Sequence, residues 1–465
     1  MRTTLFAIWL VAACGSPSPS TGDDDDAPPD SQPPQDADPS GWTTDPACSG
    51  TAESIYTTPA TLPAERGAIV QCALGDRMEM AEVQSEMAGE GAEGVTAQTG
   101  ARVVKVAYRT QRSDGKPAVT TATVYLPLVP RAVPAPVVLI GRPTSGIADD
   151  CAPSKKPRPE RNLALPFAAR GFVTITPDYA GLGNEGTHAY LDNHEAATEL
   201  FDGAVALQRL LPGLVGDPVG AVGYSQGGGV VLSAQALEQA LAGKRTIKGI
   251  AAIAPQWPIS TRSFGYEDVL RNPDDWTSLA GLAPPTVTVL RHYGFLMNKI
   301  GTTSGGDAFP SEERESIIGS IESLCTVQLG GALDAQQRHL RDLVDDGFRV
   351  AMLACIDGTP GCTGRAQEVH AWMTGDFVTA DPAGAKVLIV QGLADQVMPA
   401  AAEAACDVAK LRAEGVQPQI CSDSSATHDS VLEKKIEDVV AWIEAVATGA
   451  SAPTCSSESL PDCTR

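Results

Sequence analysis

Positive charge is scarce in this 465-residue chain: 34 Lys and Arg stand against 57 Asp and Glu, a formal net charge of −23. A surface of that sign repels phosphate backbones and anionic headgroups, which excludes nucleic acid as a partner. Aromatic residues make up only 5%, and no apolar run approaches the roughly 20 residues that a membrane-spanning helix needs. A membrane can therefore concern only the N-terminus. There is no CxxC and no close Cys/His pairing, so no metal site is expected. Gly (45) and Pro (35) are plentiful and 43% of residues are hydrophobic, enough for a large core interrupted by many turns.

The N-terminus reads as an address. Arg2 precedes the apolar stretch Leu5 to Ala13 and then Cys14, so residues 1–13 have the layout of an export signal too short to cross a bilayer. Val11-Ala12-Ala13-Cys14 resembles the lipobox of bacterial lipoproteins, which implies Cys14 as an acylated anchor and a membrane-bound exported protein. Ordinary cleavage after Ala12-Ala13 would instead release a soluble one. Residues 14–47 are mostly Ser, Pro, Asp and Gly, with Asp23 to Asp26 in a row. They cannot bury a core and are expected to be a disordered acidic tether. A calcium loop is the rival for the Asp run, but the glycine and closing Glu of such a loop are missing. Beyond Cys14 there are ten cysteines, 48, 72, 151, 325, 355, 362, 406, 421, 455 and 463, an even number that suggests disulfides formed in an oxidising compartment. Cys355 and Cys362 bracket a turn and are expected to pair with each other.

Past the tether, apolar runs alternate with amphipathic stretches. Expected strands are Arg102 to Arg109, Thr120 to Leu126, Pro136 to Gly141, Phe172 to Pro177, Val219 to Tyr224 and Ile247 to Ala254, with helices near Arg161 to Arg170, Glu195 to Leu211 and Gln226 to Leu241. The rhythm then breaks. Residues 255–385 hold helical candidates at Asp268 to Arg271, Ser311 to Leu324 and Ala335 to Val344 among loops containing Trp276, Phe295, Met297 and Trp372. It returns with a strand Lys386 to Gln391, a helix Ala400 to Glu414, a strand Gln417 to Cys421 and a closing helix Ser430 to Ala447. Continuous apolar strands separated by helices indicate an α/β fold with a mostly parallel sheet covered on both faces. Eight strands are expected, in a core formed by residues 48–254 and 386–465, with a helical cap (255–385) inserted after the sixth.

Gly223-Tyr224-Ser225-Gln226-Gly227 joins the end of an apolar strand to the start of a helix. This is the context in which G-x-S-x-G makes a sharp turn and exposes a serine hydroxyl at a helix N-terminus. A Gly-rich turn with an inert Ser is the plainer possibility. A nucleophilic hydroxyl needs a base, and of the six His (188, 194, 292, 339, 370, 428) only His428 follows the last strand. It is read in a loop just before the closing helix. The acid that orients it should lie just past the seventh strand, where Asp395 sits in VLIVQGLADQVMP; Asp423 is the runner-up. Charge developing on a substrate oxygen would rest on the N–H of Gln226 and a second donor from Gly141 to Gly146, where Pro143 has no N–H and Thr144, Ser145 or Gly146 remain.

These residues, together with Ala107-Tyr108-Arg109, Cys151-Ala152-Pro153-Ser154, Pro177-Asp178-Tyr179-Ala180-Gly181, GYSQGG at 223–228 and Thr427-His428, resemble the secretory lipases of the fungal lipase A type over most of residues 101–460. The resemblance implies an α/β-hydrolase fold and a Ser225, Asp395 and His428 triad. It also implies a disulfide from Cys151 into the cap, with Cys325 as natural partner, and another from Cys406 to the region after the last helix, Cys455. The chain departs from the family in having Ser145 where an acidic side chain is usual, and Ala180 where a Glu is. The expected activity is carboxylic ester hydrolysis through an acyl-enzyme, on acylglycerols or other lipid or small-molecule esters, without metal or organic cofactor. A peptidase or amidase on the same scaffold, and a non-catalytic surface lipoprotein, are the alternatives. Oligomeric state is not legible.

Overall fold

The apolar runs assemble into one sheet. The computed structural model describes residues 41–259, 265–274, 284–299, 306–335, 339–455 and 458–463. Its strands are β1 (Ile69–Met78), β2 (Ala101–Gln111), β3 (Pro117–Pro127), β4 (Ala135–Gly141), β5 (Val173–Pro177), β6 (Val215–Tyr224), β7 (Gly249–Ile253), β8 (Lys386–Gly392) and β9 (Gln419–Asp423). Among the described residues they form a nine-stranded sheet in the order β1-β2-β3-β5-β4-β6-β7-β8-β9. Pairing is antiparallel from β1 to β5 and parallel from β5 to β9. β7 is buried along its whole length, as a parallel strand covered on both faces must be.

The helices are α1 (Met80–Ala88), α2 (Leu165–Ala168), α3 (Asn193–Leu210), α4 (Gln226–Ala242), α5 (Tyr266–Arg271), α6 (Pro284–Lys299), α7 (Arg314–Ser323), α8 (Thr326–Ala335), α9 (Leu340–Leu343), α10 (Asp346–Ile356), α11 (Gly364–Gly375), α12 (Ala405–Ala413) and α13 (His428–Thr448). α3, α4 and α12 cover one face of the sheet and α1, α2 and α13 the other. α13 shows why such a segment is helical. Thr427 and Ser430 cap its start reciprocally, Val431, Ile436, Val439, Val440, Ile443 and Val446 recur on one buried face, and Gly449 at φ 73° ends it. Each such side chain contributes about 1.5–3 kcal/mol on burial. α5 to α11 lie between β7 and β8 and build an apolar cluster of their own, into which Ile147, Tyr190, Leu191 and Met398 project from loops of the sheet. Among the described residues no helix is long and apolar enough to cross a membrane.

Several expectations change. The sheet has nine strands, not eight: β1 leaves little trace in the sequence because it is an edge strand of mixed burial whose pairing with β2 is twice interrupted by register shifts. The helical insertion consequently follows β7. The helix near Arg161 to Arg170 shrinks to the four residues of α2, which begins beside Pro166. The stretch Ala335 to Val344 is divided between the end of α8 and the short α9. Phe295 and Met297 lie on α6 and Trp372 on α11 rather than in loops. Cys14, residues 1–40 and Trp276 lie outside the described residues.

Five disulfides are present among the described residues: Cys48–Cys72, Cys151–Cys325, Cys355–Cys362, Cys406–Cys463 and Cys421–Cys455. Such a set suits a chain that matures outside the reducing cytosol. The pairing of Cys406 with Cys455 is overturned. After α13 the chain runs back along β9, where Gln419 Nε2 donates to the Pro453 carbonyl, and this brings Cys455 to Cys421 and leaves Cys463 for Cys406. Cys151–Cys325 closes the longest loop of the five and ties the segment after β4 to the start of α8. Replacing both of these cysteines by Ser is expected to cost about 2–5 kcal/mol. It should lower the thermal midpoint and raise amide exchange in α8, and an unchanged midpoint and exchange pattern would contradict this role.

Candidate active site

At the end of β6 the backbone turns sharply into α4. Ser225 stands at the turn with φ 55° and ψ −116°, a conformation an L-residue adopts only when its surroundings enforce it. The enforcement comes from small residues. A Cβ at Gly223 would overlap the Gly227 carbonyl, and one at Gly227 would overlap the carbonyl of Gly141 at the end of β4, so α4 can approach the sheet closely enough only with glycine at both positions. Ser225 N donates to Ile253 O at 2.9 Å, and its own carbonyl accepts from Gln256 N and Gly228 N, each at 2.9 Å.

Three of the expected residues meet here. His428 Nε2 lies 3.0 Å from Ser225 Oγ, and His428 Nδ1 lies 2.8 Å from Asp395 Oδ2. The other oxygen of Asp395 accepts from the amides of Val397 and Met398, both at 2.8 Å, so the carboxylate is held by its own turn. An ionised carboxylate can only accept. Nδ1 therefore carries the ring proton, and Nε2 is free to accept from the serine hydroxyl. His428 is the first residue of α13 rather than a loop residue, because the Thr427–Ser430 cap starts the helix one residue before it. Tyr224 fixes that helix start by donating from its hydroxyl to His428 O at 2.9 Å. Asp423, the runner-up, instead accepts from Ser425 and Lys434 on the surface at the end of β9. Ser225 is fully buried and His428 only 3% exposed, so the hydroxyl that the turn is expected to expose is instead covered by the surrounding chain.

The loop after β4 is organised by Arg142, which is completely buried. Its guanidinium donates to the carbonyls of Asp178 and Pro143 and, at 2.9 Å, to Ser145 Oγ. Thr144 Oγ1 shares a hydrogen bond of 2.8 Å with the Tyr190 hydroxyl. Gly146, at φ 124°, forms a bridge with Cys325, and Thr326 N donates to Ser145 O. The candidate donors Thr144, Ser145 and Gly146 thus sit on a loop pinned from both sides, and Gln226 opens α4 beside Ser225.

Behind this loop lie residues of two sequence motifs whose roles spacing alone does not give. Ser154 of Cys151-Ala152-Pro153-Ser154 donates from its amide to Asp178 Oδ1 at 3.0 Å and from its hydroxyl to Asp178 Oδ2, which also accepts from Thr121 Oγ1 at 2.7 Å. Burial pushes the Asp178 carboxyl up, and Arg142 opposes that. The two motifs are one buried network beneath the loop. His188, one of the five remaining histidines, reaches the elbow as well: its Nε2 lies 3.1 Å from Gln226 Nε2. His194 pairs with Asp376, His292 with Tyr266, and His339 caps α9. Cys421, Asp438 and Cys455 form a cluster of ligand-type residues, but its two sulfurs are joined in a disulfide and offer no thiolate.

Behind Tyr179, α3 carries buried acids. Glu199 accepts from Ala180 N at 2.9 Å, and burial raises its carboxyl to about 7; Glu195, 3.2 Å from Arg112, is raised by burial to about 8.

Residues 159–441 match the model of the alpha/beta hydrolase family. No curated protein matches the chain by sequence. Among solved structures, Candida antarctica lipase A is 16% identical over 88% of this chain and 88% of its own, with a TM-score of 0.62. The same lipase in its closed state gives 17%, 86%, 87% and 0.63. A rice cell wall degrading esterase from Xanthomonas oryzae is 17% identical over 81% of this chain and 97% of its own, with a TM-score of 0.61. At these identities the likeness is one of fold.

The buried acids set a pH dependence. Their folded-state pKa values lie above those of the unfolded chain, so their stabilisation is complete below about pH 4.5 and is lost as pH rises through 7 to 8. Burial holds His188 and His292 below the usual imidazole range, which adds stability as pH climbs to about 6.5, so the fall due to the acids should show in the unfolding midpoint between pH 6.5 and 8, and Glu199→Gln should flatten it. Lys105, which burial lowers to about 8, drifts the opposite way only at the top of the window. Parallel wild-type and mutant curves would remove Glu199 as the cause.

Proposed function

Because the chain belongs to the alpha/beta hydrolase family, we propose that it is a serine carboxylic ester hydrolase acting through an acyl-enzyme. The observation that carries this reading is the line of hydrogen bonds from Ser225 Oγ through His428 to Asp395. In the proposed reaction His428 Nε2 takes the hydroxyl proton as Ser225 attacks the ester carbonyl, and Asp395 stabilises the imidazolium through Nδ1–H. Negative charge on the carbonyl oxygen is met by the Gln226 amide, at the positive end of α4, and by a donor from Thr144, Ser145 or Gly146. His428 then protonates the leaving alcohol. In the second half it deprotonates a water that releases the acid and regenerates Ser225. Every step is proton transfer and acyl transfer, for which these side chains suffice.

The substrate class we propose is acylglycerols or other lipid esters. Ser225 and His428 are shielded from solvent, and the helices between β7 and β8 have an apolar cluster that extends to Met398, next to the turn holding Asp395. Residues 255–385 then act as a cap over the acyl chain. The export signal and Cys14 complete the proposal: a tethered protein held at a membrane by acyl chains on Cys14, in line with the disulfide-bonded body.

Hydrolysis of nitrophenyl esters of increasing acyl length tests the reaction. Ser225→Ala should abolish turnover, and Asp395→Asn should lower kcat by about 10⁴-fold. A rate rising with chain length supports a lipid ester, a peak at the shortest esters points to a soluble-ester enzyme, and activity surviving in Ser225→Ala rejects the mechanism. Amide cleavage exceeding ester cleavage would favour a peptidase. For the anchor, Cys14→Ser should move the protein from the membrane to the soluble fraction of an expressing cell, and an unchanged distribution refutes acylation there.

A further inference from the structure

We propose that His188 is a positioning residue for the anion-stabilising site, holding the Gln226 side chain so that the adjoining backbone amide faces the reacting oxygen. This inference rests on the ester-hydrolase reading and deepens it. His188 belongs to no motif of the sequence, yet it is 2% exposed and sits between the two segments that would supply the donors. Its ring stacks on Tyr179, with centroids 5.5 Å apart and planes 11° from parallel, and the Arg142 guanidinium lies 4.7 Å from the centre of the same Tyr179 ring. Arg142 grips Ser145 and the Pro143 carbonyl of the donor loop. At the other end, His188 Nε2 meets Gln226 Nε2 at 3.1 Å. One buried column, Arg142 to Tyr179 to His188, therefore joins the loop after β4 to the residue that follows the nucleophile.

The local backbone is shaped to deliver this column. Tyr179 has φ 75°, a cost for an aromatic residue that something must offset, and Gly181 at φ 80° lets the chain fold back against the Thr187 backbone. That return places His188 beside Tyr179. From behind, α6 crosses so closely at Gly294 that a Cβ there would lie 3.0 Å from His188 O and Tyr190 N. The side-chain Nε2 of Gln226 donates to an unprotonated His188 Nε2, which puts the ring proton on Nδ1. Burial, Arg142 and Arg112 all press His188 toward the neutral form. A histidine kept neutral in that way carries no proton through the reaction, which separates its role from that of His428.

The test compares His188→Leu, which keeps the packing against Tyr179 and loses the hydrogen bond, with His188→Gln, which restores a polar partner for Gln226. Steady-state hydrolysis of a nitrophenyl ester is measured alongside the affinity for a trifluoromethyl ketone, whose adduct with a serine bears an oxyanion. His188→Leu should lower kcat by about 10- to 100-fold, since a small misplacement of a catalytic donor costs on that order, with KM nearly unchanged. The trifluoromethyl ketone should weaken by the same factor, and His188→Gln should recover most of both. Gln226→Met breaks the same contact from the other side and should reproduce the loss, so an unfolded His188→Leu leaves the question decidable. Equal losses in the Leu and Gln variants, or a Leu or Met variant with wild-type kcat and inhibitor affinity, overturn the inference while the esterase reading stands. A wild type without Ser225-dependent hydrolysis overturns both.

Discussion

Everything chemical in this chain depends on how near a helix can come to a strand. α4 reaches the carboxyl ends of β4 and β6 at a separation that no Cβ would tolerate at Gly223 or Gly227. That contact leaves Ser225 in a backbone conformation it would not choose alone. The strain is held by hydrogen bonds from β7 and the turn after it: Ser225 N to Ile253 O, and Gln256 N to Ser225 O. The same proximity sets the start of α4 against the loop after β4. A displaced α4 would therefore undo the serine, the Gln226 amide and the donor loop together.

Polar burial in this protein is concentrated around that turn. Asp178, Arg142, Ser154, Glu199 and His188 are all buried and share partners in one patch beneath the donor loop. Burying that many ionisable groups is unfavourable unless each is hydrogen-bonded, and such a network specifies one arrangement over near alternatives. The network lies directly beneath the loop that Arg142 holds through Pro143 and Ser145.

The residues of the proposed triad were legible because each is tied to a local rule. Ser225 stands between glycines after an apolar strand, Asp395 just past the next-to-last strand, and His428 before the last amphipathic helix, in the chain order that the fold requires. The core strands were legible for a related reason: buried on both faces, they read as unbroken apolar runs. What escaped had weaker local signals. β1 is an edge strand with Gly75 and Asp76 in its second half and an irregular register. α6 opens on two prolines and carries Arg291, His292 and Asn298 among its apolar residues, so its helical period is masked. The partners of Cys406 and Cys455 depend on the return path of the last segment, which spacing does not encode. His188 and Gln226 are 38 residues apart and meet only because Gly181 reverses the chain.

Cys325 opens the way into α8 and is bonded to Cys151, and it also forms the bridge with Gly146. The helical insertion is thus fastened to the body within a few residues of Ser145. With that bond closed, the start of α8 stays beside Ser145 whatever path the rest of the insertion takes.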